Sequence, residues 1–306
     1  MGYPVVTKKL LLIVGATAVG KTDISLELAA QYDCPILSAD SRQCYRELGV
    51  ATAKPDLEML SKISHYFINS HSIHNPVTAA EFEAYALTTL REVFEENNIC
   101  IMTGGSGLYV RAVCEGLDEI PPVPESIRHQ LEDRLEQEGL KVLLKELHVL
   151  DPEYAEIIDS ENPRRVIRAL EVCMGTGMPI STFRKGKKQP RPFETLKIGL
   201  HRDRKKLYLR IDQRMDEMIR HGLLEEAEQL YEFRNLKPLQ TVGYQEVFGF
   251  LEEKYDRKEM IRLLKRNSRR YAKRQLTWFG KDPSIRWFHA DDLESITDYL
   301  HEAQNC

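Results

Sequence analysis

Residues 15–22 read Gly-Ala-Thr-Ala-Val-Gly-Lys-Thr, "GATAVGKT", and follow the apolar run "LLLIV" at 10–14. The spacing G-x-x-x-x-G-K-[ST], with a strand before it and a helix after it, marks a loop that holds phosphate on backbone N–H groups at a helix N-terminus. Gly15, Ala16, Thr17, Ala18 and Val19 make the turn. Gly20 lets the backbone approach the ligand, Lys21 supplies a point charge, and the Thr22 hydroxyl suits Mg²⁺. The loop states that a polyphosphate is held. It leaves open whether phosphorus is attacked or the phosphate departs.

Outward from the loop, "PILSA" (35–39), "ICIMT" (99–103) and "LKIGL" (196–200) are further short apolar or β-branched runs, and helical patterns such as "KTDISLELAAQY" alternate with them. Alternating strands and helices predict an α/β fold with a parallel sheet, whose ligands sit at the carboxyl ends of the strands. The expected core is P-loop NTPase-like. Its first part covers 1–120, an all-helical insertion domain covers 121–190, and 191–306 returns to the core and ends in helices. The insertion is bordered by "DEIPPVPES" (118–126) and "RKGKKQPRP" (184–192), and Ile127, Leu131 and Leu135 recur inside it at helical spacing.

The 306 residues are 42% hydrophobic and 29% charged, with a net charge of −4, which suits a packed domain and does not announce a nucleic-acid binder in bulk. No apolar run approaches the roughly 20 residues a membrane helix needs. A leader peptide starting from Lys8-Lys9 would have its cleavage site at Ala16-Thr17-Ala18, inside the phosphate loop, so a cytoplasmic location is expected. The six cysteines, Cys34, Cys44, Cys100, Cys114, Cys173 and Cys306, contain no C-x-x-C pair and read as reduced thiols. His65, His71 and His74 lack the i,i+4 spacing of a metal site and read as loop residues.

Two segments face the phosphate loop across the strand ends. "LSADSRQCY" (37–45) places Asp40 just past a strand, where it could cap a helix, bind Mg²⁺ or take a proton; position alone favours the cap. "TGGSGLY" (103–109) offers Gly104 and Gly105 for close backbone approach and the Ser106 hydroxyl toward the same crevice. A carboxylate and a hydroxyl opposite a diphosphate cradle fit an acceptor that loses a proton while diphosphate leaves. Residues 261–281 carry Arg262, Lys265, Arg266, Arg269, Arg270, Lys273, Arg274 and Lys281 with no Asp or Glu. Arg262, Arg266, Arg269, Arg270 and Lys273 fall on one helix face, and together with "RKGKKQPR" (184–191) they are expected to meet phosphates. Trp278 and Phe279 could stack on bases or belong to the core.

The ordered segments "GATAVGKT", "SADSRQCYREL", "GVATAKP", "TGGSGLY", "NPRRVIRALEV", "QRMDEMIRHGL", "TVGYQEV" and "RYAKRQLTWF" resemble the bacterial tRNA dimethylallyltransferases, also called tRNA isopentenyltransferases, from about residue 10 to 280. Ala16 stands where the family usually has Pro, and Ser106 where it often has Thr; the serine keeps the hydroxyl with a freer rotamer. The resemblance implies transfer of a dimethylallyl group from its diphosphate to N6 of the tRNA adenosine at position 37, beside the anticodon. It makes Asp40 the general base and Ser106 a hydrogen-bonding group near the reacting centre. Lys21, Arg214 and Thr22 with Mg²⁺ would offset charge on the leaving diphosphate.

The same resemblance implies tRNA contacts from Asp40, Ser41, Arg42 and Gln43, and from Ser106 and Arg128. Asn162, Pro163, Arg164, Arg165 and Val166 follow. A third group is Gln240, Thr241, Val242, Gly243, Tyr244 and Gln245, and a fourth is Lys273, Arg274, Gln275, Thr277 and Trp278. The implied partners are an anticodon stem-loop and dimethylallyl diphosphate, with no protein partner and no membrane, for a chain expected to be a monomer. The rival readings are a prenyltransferase of free adenine nucleotides, a small-molecule P-loop kinase and a non-catalytic RNA-binding module. A free nucleotide needs neither the insertion nor the basic helix, the kinase would turn over ATP, and a bare binding module leaves the crevice unexplained.

Overall fold

The computed structural model describes residues 7–186 and 188–305. The chain divides into two compact units, one made of 1–114 and 191–306 and the other of 115–190. In the first unit β1 (Lys9–Gly15) leads through the phosphate loop into α1 (Lys21–Tyr32), followed by β2 (Ile36–Ser38), α2 (Leu57–Lys62), β3 (His65–Tyr66), α3 (Ala79–Glu96), β4 (Ile99–Gly104) and α4 (Gly107–Glu115). The second unit holds α5 (Glu125–Glu138), α6 (Leu140–Leu150), α7 (Pro152–Ile157) and α8 (Pro163–Thr176). The chain then adds β5 (Glu194–His201), α9 (Arg204–Arg220), α10 (Leu223–Gln229), α11 (Tyr244–Leu251), α12 (Arg257–Phe279), β6 (Arg286–His289) and α13 (Leu293–Asn305).

Among the described residues six strands form one sheet in the order β3-β2-β4-β1-β5-β6, and every neighbouring pair is parallel. The run "LLLIV" is uninterrupted because both faces of β1 are covered, as parallel sheets require. Leu10, Leu12 and Val14 face a core shared with Phe82, Ala86 and Leu90 of α3 and Met260 and Leu264 of α12. Leu11 and Ile13 face the opposite core, with Leu28 of α1, Leu207 and Ile211 of α9, and Ile296 and Leu300 of α13. Each fully buried Leu or Ile contributes about 1.5–3 kcal/mol, so substitution along β1 is costly on either face. Since all strands point one way, the segments after β1, β2 and β4 emerge at one edge.

The four apolar runs read as strands are all strands. The sequence reading missed β3 and β6, which are two and four residues long and lie at the sheet's two edges. β6, "RWFH", buries only Phe288 fully, so its pattern has no periodicity to detect in a stretch that reads as helical.

The second unit packs α6, α7 and α8 and the inner face of α5 around Leu131, Leu143, Leu147, Val166 and Leu170. Asn162 Oδ1 accepts from the Arg165 N–H at 3.4 Å and Pro163 is the first residue of α8, a helix start built by its own cap. Val166 is completely buried in this core, so it cannot be the tRNA contact the resemblance implied. Arg164 and Arg165 are exposed. Arg128 on α5 pairs with Glu132 at 2.9 Å and reaches the buried Glu171 at 4.0 Å. The basic stretch 184–191 is also largely committed. Arg184 donates to the Tyr154 hydroxyl at 2.5 Å, Lys188 pairs with Glu115 at 2.7 Å, and Arg191 pairs with Glu83 at 2.5 Å. Lys187, read as part of that cluster, and Cys306 lie outside the described residues. The remaining cysteines are free thiols, and no helix among the described residues is long and apolar enough to cross a membrane.

Candidate active site

The phosphate loop turns through Ala18, at φ 62°, and Gly20, at φ 115°, immediately before α1. A side chain at Gly20 would be strained, so the turn into α1 needs glycine there. Lys21 Nζ donates to the Gly15 and Ala16 carbonyls at 3.0 and 2.9 Å. The rest of the loop is gripped from far along the chain. Arg202 Nε donates to the Val19 carbonyl at 2.6 Å, Arg210 Nε to the Ala18 carbonyl at 2.9 Å, and Arg214 to the Thr17 hydroxyl at 3.3 Å. Arg210 and Arg214 lie one turn apart on α9, which is why both reach the loop.

Gln275 of α12 joins the loop to the turn after β4. Its Oε1 accepts from the Thr17 N–H at 2.8 Å and its Nε2 donates to the Gly105 carbonyl at 3.1 Å. A Cβ on Gly105 would sit 2.1 Å from Nε2, so only glycine admits this bridge. Gln275 was expected to touch tRNA; it is 6% exposed and both ends of its amide hold the loops instead.

Asp40 has two uses at once. Its Oδ1 accepts from the N–H groups of Arg42 at 2.8 Å and Gln43 at 3.4 Å, so the capping role is real, although a turn and not a helix follows. Its Oδ2 has no hydrogen-bond partner among the described residues, and Asp40 lines the crevice. Ser106 does not line that crevice as expected. Its Oγ accepts from the Ser41 N–H at 3.0 Å, which pins the Asp40 turn to the end of β4.

The crevice has a volume of about 570 Å³ and is lined by Lys21, Thr22, Asp40, Gln43, Lys54, Arg210, Arg214 and Tyr271 among others. A smaller cavity of about 200 Å³ shares Thr17, Ala18, Asp40, Arg214 and Tyr271 with it. Its other side is apolar, with Ile211, Met215, Met218 and Val242, and Thr241 and Gly243 complete the wall. Loss of solvent lowers the Lys21 amine to about 8; the Arg214 charge pushes the same way and Asp40 opposes it. Burial likewise lowers Arg214, against Asp40 and Glu217, and the buried Arg214 Nε has no partner among the described residues. Both cations are desolvated and neither has an ion pair at contact distance among the described residues, the condition a diphosphate relieves.

Tyr271 and Lys54 were not picked out from the sequence. Burial, then the Asp40 charge, pushes the Tyr271 phenol up to about 12, so it enters the crevice as a donor. Lys54 Nζ donates to the Tyr45 carbonyl at 2.5 Å and to Asn69 Oδ1 at 2.6 Å. Lys54 sits in "GVATAKP" and Tyr271 in "RYAKRQLTWF", and those segments were the available signals.

The other expected tRNA contacts divide by exposure. Tyr244 is fully buried and its hydroxyl donates to Glu226 at 2.6 Å, so it is not an RNA contact. Gln240 and Gln245 bond one another at 2.8 Å near the crevice. On α12, Lys273, Arg274, Thr277 and Trp278 are exposed and follow one another at helical spacing. The wider basic face is not free, as the sequence suggested. Arg269 pairs with Asp212 at 2.5 Å, Lys265 with Asp216 at 2.6 Å, and Arg262 with Glu259 at 2.6 Å. The first two carboxylates come from α9, outside the window in which the segment lacked acids. Phe279 is core. His65 bonds the Ile63 carbonyl, His71 the Ser70 hydroxyl, and the His74 ring meets Phe233.

Residues 43–282 match the IPP transferase family. The chain is 48% identical to the tRNA dimethylallyltransferase of Cytophaga hutchinsonii, over 96% of this chain and 97% of that relative. It is 44% identical to tRNA dimethylallyltransferase 1 of Bacteroides fragilis, over 96% and 97%. Among solved structures, the tRNA isopentenylpyrophosphate transferase of Bacillus halodurans is similar with a TM-score of 0.72 and 35% identity, covering 97% of each chain. A eukaryotic dimethylallyltransferase acting on tRNA is similar with a TM-score of 0.78 and 26% identity, over 94% of this chain and 75% of that one.

Proposed function

The chain belongs to the IPP transferase family, and from that premise we propose how the crevice transfers a dimethylallyl group to tRNA. The enzyme is a prenyl transferase and tRNA is its substrate. The acceptor is N6 of the adenosine beside the anticodon, presented by the stem-loop, and the donor is dimethylallyl diphosphate. N6 attacks the allylic carbon bearing oxygen, that C–O bond breaks, and diphosphate leaves with the electron pair. The N6 proton passes to Asp40 Oδ2. An exocyclic adenine amine is a weak nucleophile because its lone pair is delocalised, so proton removal and leaving-group stabilisation must act together.

The observation that carries this reading is the Asp40 Oδ2, without a hydrogen-bond partner among the described residues, beside the desolvated Lys21 and Arg214, with a smaller cavity walled on one side by Ile211, Met215, Met218 and Val242. The cations bind the diphosphate and hold it as charge develops, which makes them more effective in the transition state than in the bound substrate. Thr22 lines the crevice and its hydroxyl has no hydrogen-bond partner among the described residues, which fits Mg²⁺, a metal that takes most of its ligands from phosphate oxygens and water. When bound, Mg²⁺ neutralises charge on the departing diphosphate. Ser106 serves by holding the Asp40 turn. The tRNA side is supplied by Ser41, Arg42, Thr241, Val242 and Gly243 at the smaller cavity and by Lys273, Arg274, Thr277 and Trp278 on α12. The proposed setting is a monomer in the cytoplasm, where unmodified tRNA is made.

Incorporation of labelled dimethylallyl diphosphate into tRNA, AMP and ATP, with an Asp40→Asn variant alongside, tests the reading. The asparagine keeps an oxygen for the Arg42 and Gln43 N–H groups but cannot accept a proton, so transfer to tRNA should fall about 10³-fold with donor binding retained. Label in AMP or ATP would make the acceptor a free nucleotide. Phosphoryl transfer without label would return the loop to kinase chemistry.

A further inference from the structure

Glu226 of α10 makes four hydrogen bonds to groups distant in the chain. Its Oε2 accepts from the N–H groups of Gly49 at 2.8 Å and Val50 at 2.7 Å. Its Oε1 accepts from the Ala51 N–H at 3.1 Å and from the Tyr244 hydroxyl at 2.6 Å. Every group facing the carboxylate is a donor, a demand that a carboxylate meets on both oxygens and a carboxamide does not. The fit is tight: a Cβ on Gly49 would lie 2.8 Å from Oε2.

The segment held this way runs straight into the site. Ala51 and Thr52 line the smaller cavity, and Ala53, Lys54 and Pro55 line the crevice. The carbonyls of Thr52 and Ala53 accept from Gln43 Nε2 at 3.3 and 3.2 Å. Gln43 in turn gives its backbone N–H to Asp40 Oδ1 at 3.4 Å. An unbroken series of contacts therefore leads from Glu226 to the base.

We infer that Glu226, anchored by Tyr244, is a positioning residue for prenyl transfer: it fixes the 49–54 turn as the wall of both cavities and, through Gln43, sets Asp40. It touches neither substrate. Tyr244 is suited to the anchor because burial and the neighbouring carboxylate raise its phenol well above the ordinary value, which keeps it a donor. Lys54 adds a second link. Burial lowers its amine and Glu226 is the charge that most opposes this. The inference rests on the prenyl-transfer reading above.

The test is steady-state transfer to tRNA by wild type, Glu226→Gln and Tyr244→Phe, with melting temperatures and with prenyl diphosphate and tRNA varied separately. Activity of the wild type checks the prenyl reading itself, independently of the variants. With that in hand, Glu226→Gln should lower kcat about tenfold while the KM for prenyl diphosphate stays within about twofold, because the phosphate loop is held by other residues. Tyr244→Phe, which leaves the three backbone N–H groups on the carboxylate, should lower kcat by about two- to threefold. A lower melting temperature with unchanged kcat in both variants would make Glu226 a structural staple only and overturn the inference. So would a rise in the prenyl diphosphate KM at constant kcat. If Glu226→Gln does not fold, the Tyr244→Phe kcat decides alone.

Discussion

Lys21 and Arg214 in the crevice and Lys265 and Arg269 on α12 differ in what the fold sets against them. The α12 pair meets carboxylates of α9, Asp216 and Asp212, one partner to each cation. The crevice pair is desolvated, feels Asp40 in common, with Glu217 acting on Arg214 besides, and among the described residues the Arg214 Nε has no acceptor. Charge that is buried and under-compensated lowers stability unless a ligand completes it, whereas paired surface charge is close to neutral in both senses. The difference separates cations kept for a ligand from cations kept for packing, and a count of charges along the chain cannot make that separation.

The comparison predicts its largest effect at Arg214. Replacing it with Gln removes the guanidinium facing the crevice, and kcat/KM for prenyl diphosphate should fall about 100-fold. The Lys21 amine should move back toward its ordinary value, since Arg214 is one of the influences that lower it. Steady-state transfer to tRNA with the diphosphate varied measures the first. A loss smaller than threefold would mean that the desolvated Arg214 guanidinium has no bearing on the leaving group. An intermediate effect belongs to the exposed end of α12. Alanine at both Lys273 and Arg274 should raise the KM for tRNA several-fold and flatten its dependence on the logarithm of salt concentration by roughly one per cation removed, with kcat kept.

What was legible in the sequence follows from how local each feature is. The phosphate loop, its strand and its helix are contiguous, and a strand buried on both faces writes itself as an unbroken apolar run. Asp40 was legible for the same reason, one residue past a strand end. The grip on the loop was not. Arg202, Arg210, Arg214 and Gln275 reach it from about two hundred residues away, and of these Arg214 and Gln275 stood in the segments quoted above. Tyr244 and Gln275 show the opposite error: both lie in motifs that resemble RNA-contacting ones, yet Tyr244 is fully buried and Gln275 nearly so. Polar residues near a site are as often its scaffold as its contacts, and side-chain direction decides between them. That direction depends on which helix packs alongside, which no window of the sequence contains.

The smallest predicted effect is the one that sharpens the comparison most. Arg269 belongs to the basic face seen in the sequence, but it is held by Asp212 at 2.5 and 2.7 Å and lies over the Tyr208 ring at 5.9 Å. If pairing removes a cation from RNA binding, Arg269→Ala should leave the tRNA KM and its salt slope within about twofold of wild type, in contrast to the Lys273 and Arg274 change. Its cost should appear in stability instead. Both side chains are about a third exposed, at 30% and 32%, so solvent screens the pair and its removal should destabilise by only about 0.5 kcal/mol. Denaturant unfolding and salt-dependent tRNA kinetics on the same preparation separate the two quantities. A tRNA slope that flattens by as much as it does for Lys273 would show that Asp212 yields its partner to the RNA backbone, and that α12 meets tRNA along its whole basic face.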